Sequence, residues 1–251
     1  MQIQWQITDA DKARVADIVD RQQNGGMVRY RERFNLAAEK EEITKDRLWR
    51  TIVCMRLTTR ARTRPRGALA DFQKRKPFLL SYDTMRLRQL DQAGIHYILK
   101  AHKVGTDPQK ISAQLAENFN RLEEGKWQRA LDQCGRLKQS QPREVEREVA
   151  DCLEDILIGI GPKQARNVLQ ALCLTRYEIP IDSRVTNWLN EELSFPIRIS
   201  SSALSDRNVY RLILDGICAL CKECGIYPCI LDAAIFGSID GEDWDDELQR
   251  Y

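Results

Sequence analysis

The strongest constraint on how this chain can fold lies in residues 145–172. Val145, Val149, Cys152, Leu153, Ile156 and Leu157 recur at helical spacing, and after a break Ala165, Val168, Leu169 and Leu172 do the same. The break is Ile158-Gly159-Ile160-Gly161, and Pro162 follows it. Proline has the fixed φ suited to a first helical position, where its missing N–H costs nothing. Two amphipathic helices therefore meet at a tight glycine turn. The second begins at Pro162 and carries Lys163 in its first turn.

The rest of the chain fits a fold built from such helices. Thr8 caps a helix to about Gln22 that buries Ala13, Val15, Ala16, Ile18 and Val19, and Asn24-Gly25-Gly26 ends it. The segment MVRYRERFNLA that follows has no assignable pattern. Thr44 opens a helix through Leu57 with Leu48, Ile52, Val53 and Met55 inward, and the basic loop TTRARTRPRG leaves it. Further helices are predicted over Asp83 to Ala93, Asp107 to Leu122, Lys126 to Leu137 and Pro142 to Leu157. No stretch alternates with the β-branched enrichment of a sheet, so the class is all-α.

With 251 residues and 43% apolar content the chain can bury one large core or two modest ones. The opening lacks a cationic segment followed by an apolar stretch, and no apolar run is long enough to span a bilayer. We expect a soluble, unexported monomer, cytoplasmic and nucleoid-associated or nuclear. Of the eight cysteines, Cys54, Cys134, Cys152 and Cys173 sit alone in helical segments, as reduced thiols that pack like small apolar residues. The net charge of +2 hides a strong asymmetry. Arg56 to Lys76 holds eight basic residues and one acid, whereas Asp240 to Glu247 holds six acids and no base. Such separation can aim a nearly neutral protein at a polyanion. The acidic end reads as a loose tail that Trp244 could pin.

The glycine turn excludes two phosphate-binding motifs. A Walker loop needs Gly-Lys-Ser or Gly-Lys-Thr after a strand, and a dinucleotide turn needs a glycine where Gln164 stands. Two readings stay open: an αα-hairpin whose glycines permit close packing, or a helix-hairpin-helix that offers backbone N–H groups at a helix N-terminus to a DNA phosphate. Lys163 has a lowered pKa in either, through the helix dipole and partial burial, and a neutral amine is a nucleophile. Asp182 comes nineteen residues later, after Ile179-Pro180-Ile181 and before a helix with Val185, Trp188, Leu189 and Leu193 inside. Its plain role is an N-cap worth about 1 kcal/mol.

LIGIGPKQA followed by IPIDSRV resembles the helix-hairpin-helix and aspartate signature of the endonuclease III and 8-oxoguanine DNA glycosylase superfamily. Carried across by position, the resemblance implies that Lys163 attacks C1′ of a flipped nucleotide and that Asp182 assists departure of the base. It implies a bifunctional glycosylase and β-elimination lyase acting on double-stranded DNA, with Ile158, Gly159, Ile160, Gly161, Pro162 and Gln164 gripping the duplex. The carbonyls of Leu157 and Ile160 could hold an alkali cation. Arg60 falls where endonuclease III wedges a glutamine into the duplex, and Arg60, Arg62 and Arg64 are candidate DNA contacts.

Cys218, Cys221, Cys224 and Cys229 follow a C-x2-C-x2-C-x4-C spacing close to iron–sulfur arrangements, but the gaps depart from those of endonuclease III. Val209, Ile213, Ile217, Leu220, Cys221 and Cys224 form a helical stripe closing at Gly225, so core packing is preferred to a cluster and no cofactor is required. Residues 209–238 resemble the C-terminal region of the cluster-free archaeal 8-oxoguanine glycosylase lyases, with Leu231-Asp232 and Phe236 at matching places. That resemblance implies an oxidised base such as 8-oxoguanine as substrate and Phe236 as a stacking partner for it. The expectation is a two-lobed fold. Residues 41–177 form a helical barrel with the hairpin, residues 1–40 and 178–251 a second helical domain, and the active-site cleft lies between them. The alternatives are a non-catalytic helix-hairpin-helix DNA-binding module and an iron–sulfur DNA-binding regulatory protein.

Overall fold

A computed structural model of the chain describes residues 4–58 and 67–240. Arg60, Arg62, Arg64 and Trp244 lie outside the described residues. The fold is all-α, in the order α1 (Asp9–Gln22), α2 (Gly26–Tyr30), α3 (Lys45–Leu57), α4 (Ala68–Gln73), α5 (Tyr82–Leu87), α6 (Gln92–Ala101), α7 (Pro108–Arg121), α8 (Trp127–Arg136), α9 (Arg143–Ile156), α10 (Pro162–Ala171), α11 (Ser183–Asn187), α12 (Arg207–Glu223) and α13 (Pro228–Asp240). Among the described residues the β-type pairing is a single bridge between Glu39 and Gln139. No helix among them is long and apolar enough to cross a membrane.

Local chemistry sets many of the helix starts. Thr8 and Asp11 form a reciprocal capping box at α1, and the Thr44 hydroxyl accepts from the Arg47 N–H at 3.2 Å. Asp107 caps α7 by accepting from the Lys110 N–H at 3.0 Å, and Asp206 caps α12 by accepting from Asn208 and Val209.

The predicted helix from Asp83 to Ala93 is two helices. Gln89 adopts a φ of +45°, which ends α5, and the Asp91 carboxylate then accepts from the Gly94 N–H at 2.9 Å and starts α6. Val15 and Ile18 are the buried residues of α1, while Ala13 and Ala16 are exposed; a methyl group gains little from burial compared with a branched side chain. α3 is buried nearly all round, not along one stripe: Trp49, Thr51, Cys54, Arg56 and Leu57 join the predicted Leu48, Ile52, Val53 and Met55. Gly25 and Gly26 begin α2 and do not merely end α1. The unassigned segment after them is α2 followed by a π-type turn over Arg31–Asn35 that carries Arg31 and Asn35 inside.

Buried apolar side chains form two clusters. The first draws on residues from Leu48 to Leu174 and contains α3, α7, α9 and α10, with Trp49 fully buried and donating from Nε1 to the Leu80 carbonyl at 2.9 Å. The second combines Val15, Ile18 and Val28 with residues from Ile179 to Ile235, so that α1 and α2 pack on α13.

A charged seam joins α9 and α10 to α12. The Glu178 carboxylate has no exposed side-chain surface and takes Arg166 Nε at 2.8 Å and Arg147 Nε at 3.3 Å. Arg147 also reaches Asp215 at 2.5 Å, Arg143 pairs with the same carboxylate, and Arg211 of α12 pairs with Asp151 of α9. Each buried charge here has opposite charges around it, the condition under which burial is tolerated.

Candidate active site

The hairpin takes its shape from residues on both sides of it. α9 ends at Ile156, Leu157 turns extended, and Gly159 adopts a φ of +73° that an L side chain rarely accepts. A Cβ at Gly159 would also fall 2.5 Å from the Gln114 side chain. Gly161 differs: its φ is −95° and a Cβ there would meet nothing within 4 Å among the described residues. Its carbonyl accepts from the Ala165 N–H at 3.0 Å, and no side-chain bond caps the start of α10. The side chains of Ile160, Pro162 and Gln164 are buried, so they face the protein. Asn118 takes both backbone polar groups of Ile158, donating to its carbonyl at 2.9 Å and accepting from its N–H at 2.7 Å.

Lys163 is half-buried in the first turn of α10. Burial pushes its amine below the ordinary lysine value, and the Arg184 guanidinium acts in the same direction; the Asp182 and Asp232 carboxylates oppose it. Two carboxylates and one guanidinium from the chain beyond residue 180 thus act on its charge.

Asp182 is the N-cap of α11. One carboxylate oxygen accepts from the N–H groups of Arg184 at 2.8 Å and Val185 at 3.1 Å, and the other accepts from Arg184 Nη1 at 2.6 Å. The approach to it is pinned by Tyr210, whose buried hydroxyl accepts from the Ile181 N–H at 2.7 Å and donates to the Ile179 carbonyl at 2.9 Å. Arg184 also lies over the Phe236 ring, 4.4 Å from its centroid, and so links Asp182 to α13.

Asp232 is one helical turn before Phe236 on the same helix. It accepts from Gln170 Nε2 at 3.1 Å; Gln170 in turn accepts from Arg31 Nη2 at 3.3 Å through its side-chain oxygen. Burial drives the Asp232 carboxyl up to about 7, against the pull of Arg31, and the neighbouring Asp182 charge adds to the rise.

Arg184 therefore joins Asp182 to Phe236, and the charges of Asp182, Arg184 and Asp232 act on Lys163. Sequence reasoning assigned no role to Asn118, Gln114, Arg184, Gln170 or Arg31. A signal for two of them was present: Gln114 and Asn118 stand four apart on α7, whose apolar residues are Ile111, Leu115 and Phe119. Gln170, two helical turns beyond Lys163 on α10, has no comparable local signal.

Cys218 and Cys221 lie on α12, Cys224 is its C-cap and Cys229 is in the first turn of α13, with Gly225 at a φ of +69° between the helices. All four pack in or against the second core. Burial raises the Cys218 and Cys229 thiols to about 12. Among the described residues no group of three or more His, Cys, Asp or Glu side chains is arranged to hold a metal ion. Compared with known proteins, the chain matches no family model and no curated sequence.

Proposed function

We propose that this protein is a base-excision DNA glycosylase with an associated β-elimination lyase activity, acting on an oxidised base such as 8-oxoguanine in double-stranded DNA. What supports the reading is the half-buried Lys163 in the first turn of α10, whose amine burial makes less basic and on whose charge the Asp182 carboxylate acts. Residue spacing could not supply that burial.

In this reading the duplex lies across the hairpin and the basic stretch from Arg56 to Lys76, and the damaged nucleotide swings out toward Lys163. The open start of α10 at Gly161 suits a phosphate, since a helix N-terminus offers N–H donors and positive potential. Neutral Lys163 forms a bond to C1′ as the C1′–N bond breaks; the base leaves with that electron pair and takes up a proton. Asp182 stabilises positive charge on the sugar as it develops. Loss of the lysine proton and opening of the sugar ring give a Schiff base between Nζ and C1′. Removal of a C2′ proton then expels the 3′ phosphate, and water releases the sugar remnant from Lys163. Phe236 supplies a face for stacking the extruded base.

The capping bonds of Asp182 are also what a non-catalytic DNA-binding hairpin module would have. Borohydride trapping separates the two readings. Wild-type protein and abasic duplex should give a borohydride-stable adduct that Lys163→Ala lacks while still binding the duplex. An adduct of undiminished yield in Lys163→Ala removes Lys163 as the nucleophile.

A further inference from the structure

One face of α7 grips the hairpin from outside, and none of its polar residues has a place in the chemistry above. Asn118 has no exposed surface, and its amide is bonded at both ends to Ile158. This two-point contact fixes the Ile158 peptide groups in direction as well as position. One helical turn earlier, Gln114 lies against Gly159 so closely that a Cβ there would fall 2.5 Å from its amide. The Gln114 oxygen accepts from the Arg56 guanidinium, which is itself buried at the last turn of α3. Packing alone does not call for these residues: a buried amide or guanidinium costs more than an apolar side chain of similar size unless its bonds are made. Buried Asn118 bonds the turn directly, and buried Arg56 reaches it through the half-buried Gln114.

We propose that Asn118 and Gln114, the latter held by Arg56, are positioning residues that lock the hairpin backbone in its duplex-gripping orientation before DNA arrives. The inference rests on the reading of the hairpin as a phosphate grip. A loose turn would have to be ordered during binding, and that entropic cost would come out of the affinity. Arg56 also begins the basic stretch, so the same relay ties the root of that stretch to the hairpin.

The test uses Asn118→Leu, which removes both bonds at similar volume, and Gln114→Met, which removes the Arg56 bond and remains informative if the first variant does not fold. Affinity of the folded protein is measured for an intact duplex and for one carrying a tetrahydrofuran abasic analogue, together with amide exchange over residues 157–161 and single-turnover trapping at saturating DNA. Faster exchange in the hairpin and a loss of about tenfold in affinity, equal for both duplexes, are expected. The pH midpoint of trapping should stay where it is in the wild type, because the burial of Lys163 and the charges of Asp182, Arg184 and Asp232 are left unchanged. Asn118→Asp, which keeps the bond from the Ile158 N–H, should recover part of the affinity. Folded variants that bind like wild type despite faster hairpin exchange would reduce the clamp to ordinary structure and overturn the proposal. A wild type that binds duplex but forms no adduct defeats the lyase reading and leaves the affinity comparison decisive for the clamp; a wild type that binds no duplex defeats the reading itself.

Discussion

The starts of α10 and α11 lie on either side of Lys163 and are built in opposite ways. At α11 the Asp182 carboxylate fills the helix end, accepting two backbone N–H groups and pairing with Arg184. At α10 the capping position is Gly161, with no side-chain bond and open space where a Cβ would stand. Both helix ends carry the same partial positive charge. One carries its anion within the chain; the other has no side-chain cap, and the proposed function puts an external phosphate there. An internal carboxylate, a place for an external phosphate and a lysine of lowered basicity are the three parts that the proposed reaction needs.

The sharpest way to break the comparison is Lys163→Ala, which should abolish the trapped adduct altogether while duplex binding survives. Next is Asp182→Asn. Asparagine caps a helix about as well as aspartate, so thermal stability should change by no more than about 1 kcal/mol. Base removal should slow by about 10²–10³-fold, because the stabilising charge is gone. A variant that melts early and cleaves normally would reduce Asp182 to a cap.

The two glycines give a smaller contrast. Gly159→Ala should cost about 1–3 kcal/mol in unfolding experiments, through its left-handed φ and its contact with Gln114. Gly161→Ala should leave stability nearly unchanged yet weaken duplex binding, since its Cβ would occupy the space a phosphate needs. Equal affinity in Gly161→Ala and the wild type would remove the open helix end from the binding surface.

A further contrast concerns pH. Asp232 is raised to about 7, so the folded state holds its proton where the unfolded chain, with the ordinary value of 3.8, has lost it. Its contribution to stability is complete below about 3.8 and is lost as pH rises to about 7. Asp232→Asn should therefore flatten the fall in melting temperature across that window. For the lysine the direction is the opposite one, lowered, so the trapping rate should reach half its plateau below the ordinary lysine value of 10.5. A midpoint at or above it would contradict the burial of the amine.

What could be read beforehand was local. Thr8, Thr44, Asp107 and Asp182 act on N–H groups two or three residues away, so their helix starts are written in short stretches of sequence. The same holds for Gly225, which closes α12. The segment MVRYRERFNLA was opaque because its charges suggest a solvated surface. Arg31 and Asn35 are instead buried against Gln170, more than 130 residues away in sequence. The split between α5 and α6 was missed because Gln89 takes a conformation usually left to glycine.

The sequence by itself determined the helical class, the hairpin of α9 and α10 and the placing of Lys163 in the first turn of a helix, because spacing and capping act over a few residues. Tertiary structure alone decided the rest: that Lys163 is half-buried, that Arg184 bridges Asp182 to Phe236, and that Asn118 holds Ile158. Those relations depend on how elements far apart in the chain pack together, and on the burial that packing imposes. Burial of this kind is what shifts a pKa and what makes a buried amide worth keeping.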